Sequence, residues 1–235
     1  MTLPKLPPMV QIDSPTELAE SLADLIINKL SAAIESNGEA SLVLSGGSTP
    51  KPLFEALRTR DLQWNKVTVT LADERWVAES DADSNAAFVK NTLLTDKAAA
   101  ARFVGLYKDG AQPHQGVSSI HDQLQAVPQP FTVVVLGMGG DGHTASLFPG
   151  AKGTQEAMRE TQSLVSIVEP ETVPQARITL TLAALMNTDC QLLHITGAEK
   201  RSLVDEVLAD PKASNYPIAK FLNPDNPRLT VYTTH

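Results

Sequence analysis

Apolar residues recur along the first part of the chain at the spacing of one helix face. From Pro15 to Ile34, leucine and isoleucine return every three or four residues, which indicates an amphipathic helix. Ser14 stands before this run, with proline directly after it and a glutamate three residues on. That is the pattern of a capping box at a helix start. Gly38 predicts where the helix ends.

Farther along, short runs of consecutive apolar residues alternate with helical patterns. The predicted strands lie at 42–44, 67–71, 103–106, 133–136, 164–168, 192–195 and 229–232. The remaining predicted helices lie at 50–60, 84–94, 117–126, 179–187, 198–209 and 217–222. Such an order is typical of parallel strands joined by right-handed helical crossovers. We therefore predict an α/β fold with a doubly wound, open, mostly parallel sheet flanked by helices.

Composition limits the partners that the chain can have. A formal net charge of −8 provides no broad basic field, which argues against nucleic acid or an anionic membrane surface. No segment approaches the roughly 18 apolar residues of a membrane span, and early prolines interrupt any signal-peptide core. The lone Cys190 allows no internal disulfide. We expect a cytoplasmic single domain over 1–235, with no obligate protein partner.

The segment after the fourth predicted strand holds the most informative chemistry. Residues 137–150 read GMGGDGHTASLFPG, so a glycine-rich turn carrying Asp141 and His143 follows directly on an apolar strand. In parallel sheets, ligands bind beyond the carboxyl ends of the strands. An imidazole, with an ordinary pKa of about 6.5, takes and returns protons near neutrality. His143 is therefore the predicted catalytic residue, and Asp141 is placed to orient it.

A second turn has the character of an anion site. It joins a predicted strand to a helix, where free backbone amides favour a phosphate or carboxylate. The turn consists of Ser45, Gly46, Gly47, Ser48 and Thr49. Taken alone, it is also typical of a plain tight turn capped by a hydroxyl, which is a common arrangement.

Charged residues at three further places are candidates for the same cleft. Asp73 and Arg75 follow the strand at 67–71, and Lys200 follows the strand at 192–195. Because strand ends meet at one edge of a parallel sheet, these groups could reach a common substrate. Arg177, just before an apolar run, is a weaker candidate. Each could instead be a solvated surface charge or ion pair.

Two cofactor hypotheses are weaker than these. Gly137, Gly139 and Gly142 fit the G-x-G-x-x-G fingerprint of dinucleotide sites. That fingerprint opens a helix in the first βαβ unit of a domain, whereas here well over 100 residues precede it and a proline-glycine pair soon follows. The acidic and histidine residues match no standard zinc spacing either. We expect no cofactor and no metal.

Taken in order, the motifs resemble those of the 6-phosphogluconolactonases. They are LSGGSTP at 44–50, ADERWV at 72–77, SN at 84–85, GMGGDGHTASLFP at 137–149, RIT at 177–179 and GAEK at 197–200. The resemblance covers about residues 10–235, and the stretch GDGHTASLFP is its most specific part. It implies a Rossmann-type domain shared with glucosamine-6-phosphate deaminases and ribose-5-phosphate isomerases. It also implies hydrolysis of a phosphorylated sugar lactone, 6-phosphoglucono-1,5-lactone, to 6-phosphogluconate without a cofactor.

The resemblance also implies roles. His143 would take a proton from the attacking water and return it to the leaving ring oxygen. Arg75 would stabilise the oxyanion or hold sugar hydroxyls, while Asp73 and Asp141 would orient substrate and imidazole. The implied phosphate cradle comprises Ser45, Gly46, Gly47, Ser48, Thr49, Arg177 and Lys200.

Two other functions compete with this hypothesis. Sugar-phosphate isomerases and deaminases usually place a glutamate shortly after this histidine, where the chain has Phe148, and a tyrosine where it has Arg75-Trp76. A non-catalytic sugar-phosphate sensor would carry a DNA-binding segment. Lys5 and Lys29 are the basic residues before residue 50, too few for a helix-turn-helix that docks on DNA.

Overall fold

The computed structural model describes residues 6–159, 162–210 and 214–234. These residues form the following strands: β1 (Met9–Gln11), β2 (Ala40–Leu44), β3 (Val67–Leu71), β4 (Asp73–Arg75), β5 (Arg102–Val104), β6 (Phe131–Leu136), β7 (Val165–Val168), β8 (Arg177–Leu180), β9 (Thr188–Ile195) and β10 (Leu229–Thr233). The α-helices are α1 (Pro15–Asn37), α2 (Lys51–Leu57), α3 (Asn85–Thr92), α4 (Pro113–Gln125), α5 (Thr154–Ala157), α6 (Leu182–Met186) and α7 (Ala198–Ala209).

A seven-stranded parallel sheet forms the centre of the molecule. Its strand order is β1-β10-β9-β6-β2-β3-β5. The central strands β2, β3 and β6 are buried along their whole length, as expected for parallel strands covered on both faces. The predicted doubly wound, mostly parallel α/β fold is confirmed.

The first helix forms as the apolar spacing predicts. The Ser14 hydroxyl accepts the backbone N–H of Glu17 at 3.3 Å. At the other end Gly38 adopts a φ of 82° and donates its N–H to the carbonyl of Ile34. That left-handed conformation is open to glycine at little cost, so Gly38 ends the helix.

A second, three-stranded antiparallel sheet was not predicted. Its strand order is β4-β8-β7. The predicted helix over 179–187 is wrong at its start, because residues up to Leu180 belong to β8 and α6 begins at Leu182. An apolar run of this length has no clear period, so only the pairing with distant β4 and β7 decides for a strand.

The two sheets share one hydrophobic core. Ile178 and Leu180 of the small sheet belong to the same buried cluster as Val135 of the large sheet. The backbone N–H of Leu180 also donates to the carbonyl of Ala72 at 2.8 Å. The end of β3 is thereby connected to β8. Within the described ranges, no helix is both long and apolar enough to cross a membrane.

Candidate active site

A cavity of about 300 Å³ opens at the carboxyl edge of the large sheet. Four segments that follow strands β2, β3, β6 and β9 bring their side chains to its wall. The lining residues are Ser45, Gly46, Gly47, Ser48, Thr49, Pro50, Asp73, Arg75, Asn85, Val135, Leu136, Gly137, Met138, Gly139, His143, Ala145, His194 and Lys200. Most of the residues predicted from sequence therefore converge on one site, as the strand-end argument requires.

His143 and Asp141 form a hydrogen-bonded pair on the loop after β6. The Nδ1 atom of His143 lies 2.5 Å from Oδ1 of Asp141, and the same oxygen accepts the backbone N–H of His143 at 3.2 Å. Because a carboxylate only accepts hydrogen bonds, this contact assigns the ring proton to Nδ1. Nε2 is then the nitrogen with a free electron pair. Asp141 itself does not line the cavity.

A neighbouring aromatic ring and a glycine fix the plane of the imidazole. Phe148 stacks on His143 with ring centroids 4.3 Å apart and an angle of 26° between the planes. A Cβ atom at Gly139 would lie 2.2 Å from Cε1 of His143 and 2.7 Å from Oδ1 of Asp141. Only glycine leaves room there for the pair.

Asp73 joins the small sheet to the loop after β6. Its side chain is buried and accepts a hydrogen bond from the hydroxyl of Ser146. Burial raises the pKa of Asp73, and the Ser146 hydrogen bond and the positive charge of Arg75 partly oppose this effect. Asp73 therefore holds the loop in place from inside the cavity wall.

Arg75 lines the cavity, whereas its neighbour Arg177 does not. The two are paired across β4 and β8, and an Arg75 guanidinium nitrogen donates to the backbone carbonyl of Asp83. Arg177 is buried, and its Nη1 donates to the carbonyl and side-chain oxygens of Gln175 at 3.1 and 3.3 Å. Burial and then the charge of Arg75 lower the pKa of Arg177. Its predicted phosphate contact stays a prediction, because Arg177 does not line the cavity.

The turn at 45–49 lies against the same cavity as Lys200. The Ser45 hydroxyl donates to the carbonyl of Val135 at 3.1 Å, so it joins this turn to β6. Ser48, Thr49 and the amides around Gly47 remain on the cavity side, with Lys200 of α7 also in the wall. This end of the cavity can bind an oxyanion.

Sequence reasoning assigned no site role to Asn85 or His194, yet both line the cavity. Asn85 donates from Nδ2 to the carbonyl of Asp73 at 2.9 Å, and a Cβ atom at Gly46 would lie 1.9 Å from its Oδ1. The only sequence signal for Asn85 was its place beside Ser84 in the short motif SN at 84–85. His194 lacks a glycine-rich turn like the one around His143, so its local sequence favours a structural residue. Only the structure shows that His194 lies next to the last residue of β9, where the strand reaches the cavity.

Glu74 supports the backbone of the segments next to the site. It is fully buried and accepts the backbone N–H groups of Asn85 and Ala86 at 2.8 and 2.7 Å. Burial raises its pKa, against the effect of these hydrogen bonds. Glu74 thus caps α3 and fixes β4, which carries Asp73 and Arg75. Among the described residues, no group of three or more His, Cys, Asp or Glu could hold a metal ion.

Fold and cavity together define a parallel α/β protein with an enzyme-like site at the carboxyl edge of its sheet. The family model for glucosamine-6-phosphate isomerases and 6-phosphogluconolactonase matches residues 13–231, and the chain belongs to this family.

Similarity to individual proteins is strongest on the lactonase side of the family. The chain is 42% identical over 211 residues to a 6-phosphogluconolactonase from Pseudomonas aeruginosa, covering 89% of this chain and 88% of that protein. It is 40% identical over 221 residues to one from Rhizobium meliloti, covering 94% and 95%. The crystal structure of a 6-phosphogluconolactonase from Shewanella baltica matches with a TM-score of 0.95 and 36% identity over the full length of both chains. The predicted resemblance and enzyme class are confirmed.

Proposed function

We propose that this protein hydrolyses 6-phosphoglucono-1,5-lactone to 6-phosphogluconate, with His143 as general base and a cationic cradle for the phosphate. The observation that carries the proposal is the paired imidazole of His143. Asp141 occupies Nδ1, and Nε2 makes no hydrogen bond to any described residue, in a cavity that also contains Arg75 and Lys200. The family relationship supports the same substrate class.

In this mechanism His143 Nε2 takes a proton from a water molecule as its oxygen bonds to the lactone carbonyl carbon. Negative charge then collects on the carbonyl oxygen, where the Arg75 guanidinium can stabilise it. When the bond between the carbonyl carbon and the ring oxygen breaks, the imidazolium returns its proton to that oxygen. The Asp141 carboxylate stabilises the imidazolium in between and keeps the ring oriented.

The 45–49 turn and Lys200 would hold the phosphate. Lys200 supplies a charge, while Ser48, Thr49 and the backbone amides near Gly47 supply neutral donors. Binding energy from this remote group would fix the lactone ring against His143. A cytoplasmic location and the absence of a nucleic-acid partner belong to the same proposal.

Isomerase or deaminase activity fits the site less well. Phe148 stacks on the catalytic imidazole, at the place where those enzymes carry a glutamate. An apolar ring there cannot shuttle the proton that aldose-ketose chemistry requires. The sensor hypothesis gains no support from the N-terminal helix either, because its apolar face is buried in the core.

The first test measures hydrolysis of freshly generated 6-phosphogluconolactone near pH 6.5, where the spontaneous reaction is slow. We expect catalysis by the wild type and a loss of about 10²- to 10⁴-fold in kcat for His143→Ala, with 6-phosphogluconate binding retained. A wild-type rate equal to the spontaneous background would contradict the proposed function. A fully active His143→Ala variant would place the base elsewhere.

A further inference from the structure

His194 occupies the cavity wall without an assigned role. It is the next-to-last residue of β9, is 5% exposed, and shares the wall with Lys200 of the following helix. The strand therefore delivers an imidazole, rather than another apolar side chain, to the end of the cavity where the proposed phosphate cradle lies.

The two ring nitrogens of His194 are in different surroundings. Nδ1 is sealed from solvent and has no hydrogen-bond partner. Nε2 is not sealed in this way, and it too makes no hydrogen bond to any residue that the structure describes. A buried polar atom without a partner is uncommon in proteins, so the orientation of this ring calls for an explanation.

The charge state of the ring follows from its surroundings. Burial, and then the positive charge of Lys200, lower the pKa of His194 to about 4, so the ring is neutral at pH 7 and carries one proton. A proton on Nδ1 would be a buried donor with no acceptor, which costs more than an empty acceptor site. The proton therefore belongs on Nε2, the nitrogen that solvent or a ligand can reach.

We propose that His194 binds the substrate directly, by donating its Nε2–H to an oxygen of the phosphate group beside Lys200. This inference rests on the proposed function, since it names a further residue of the same site. A neutral donor adds a directed hydrogen bond without repelling Lys200 as a second cation would. It also favours phosphorylated ligands, because a ligand that lacks the phosphate cannot accept this hydrogen bond.

Two substitutions separate this role from a structural one. His194→Leu removes both nitrogens, while His194→Gln retains an N–H near the position of Nε2. We expect His194→Leu to raise KM and to weaken the binding of 6-phosphogluconate and of inorganic phosphate by about tenfold or more, with kcat little changed. His194→Gln should recover most of that loss. The exposed His114, outside this cavity, provides the matched control His114→Gln, expected to behave as wild type.

Calorimetric titrations with 6-phosphogluconate, gluconate and inorganic phosphate, together with thermal unfolding of each variant, give the decisive readouts. Gluconate binding should be the same in all variants. If His194→Leu binds the phosphorylated ligands as tightly as wild type, the inference is wrong and the proposed function stands. If both His194 variants lower the unfolding midpoint and kcat together, the role is structural. A wild type that binds neither phosphorylated ligand would overturn the inference and the proposed function at once.

A nitrogen-detected NMR spectrum tests the tautomer directly. We expect a protonated Nε2 on His194 in the free protein, and a larger shift at Nε2 than at Nδ1 when phosphate is added. A proton found on Nδ1 would overturn the inference.

Discussion

His143 and His194 line one cavity in opposite electrostatic settings. The side chain of His143 is 30% exposed, and its Nδ1 meets the Asp141 carboxylate, which in the proposed mechanism stabilises the imidazolium. His194 is enclosed, and the charge that acts on it is the Lys200 cation. The surroundings of His143 suit a residue that gains and loses a proton. The surroundings of His194 suit a residue that keeps one proton in place.

The enclosed ring of His194 should make the stability of the protein depend on pH. Its pKa falls from 6.5 to about 4 on folding, so the unfolded chain takes up this proton at a higher pH than the folded protein does. The stabilisation is therefore complete above pH 6.5 and is lost as the pH falls towards 4. Relative to His194→Gln, the wild type should lose about 2 kcal/mol of unfolding free energy between pH 7 and pH 5.

Urea unfolding of both proteins at the two pH values measures this difference. Burial raises the pKa of Asp73 and Glu74, which by the same linkage favours the folded state as the pH falls. Both proteins contain these carboxyl groups, so their contribution cancels in the comparison. Parallel pH dependences of the two proteins would show that His194 is not held neutral.

At the scale of elements, the loop after β6 is held by two hydrogen bonds to other segments and by one within the loop. Ser146 donates to Asp73 of β4, and the N–H of Ile218 donates to the carbonyl of Gly142 at 3.1 Å. Within the loop, the N–H of Gly139 donates to the carbonyl of His143 at 2.9 Å. The His143–Asp141 pair therefore depends on a rigid loop, and under the proposed function small changes of its backbone surroundings should affect activity more than stability.

Gly139→Ala tests this dependence. The added methyl group would overlap the His143 ring and the Asp141 carboxylate, so the pair must separate or rotate. We expect kcat to fall by about 100-fold, with little change in the unfolding midpoint because side chains rather than backbone give way. Gly140→Ala is the control, since nothing lies within 4 Å of its Cβ position. Equal activities of the two variants would mean that the pair is not needed in its present geometry.

At the scale of the whole molecule, the two sheets carry different parts of the site. The large sheet supplies the 45–49 turn, the loop after β6 and Lys200, while the small sheet supplies Asp73 and Arg75 through β4. Their common core argues that neither sheet folds without the other. The single domain predicted over 1–235 is still a prediction, and an unfolding experiment can test it.

The two tryptophans report on the two sheets separately. Trp64 is buried just before β3, whereas Trp76 follows β4 and donates its backbone N–H to the carbonyl of Ala176 at 2.9 Å. In Trp64→Phe and Trp76→Phe, the remaining fluorescence should unfold at the same denaturant concentration as the circular dichroism of that variant. An earlier fluorescence transition for the Trp76 reporter would indicate that the small sheet is a separate unit.

The sequence by itself determined the elements and chemistry that depend on neighbouring residues. The capped first helix, the buried strands β2, β3 and β6 and the glycine-rich loop with His143 all follow from local spacing and turn chemistry. Strand ends of a parallel sheet meet at one edge, so the meeting of this loop with Arg75, Lys200 and the 45–49 turn was predictable as well.

Only the tertiary structure decided the points that depend on contacts between distant residues. Residues 177–180 form a strand because β4 and β7, far away in the chain, pair with them. The same pairing places Arg177 beside Arg75, yet Arg177 does not line the cavity. His194 and Asn85 enter the site through strand register and helix placement, which no local pattern encodes. An apolar run specifies that a segment is buried, but the partners that bury it specify its conformation and the direction of each side chain.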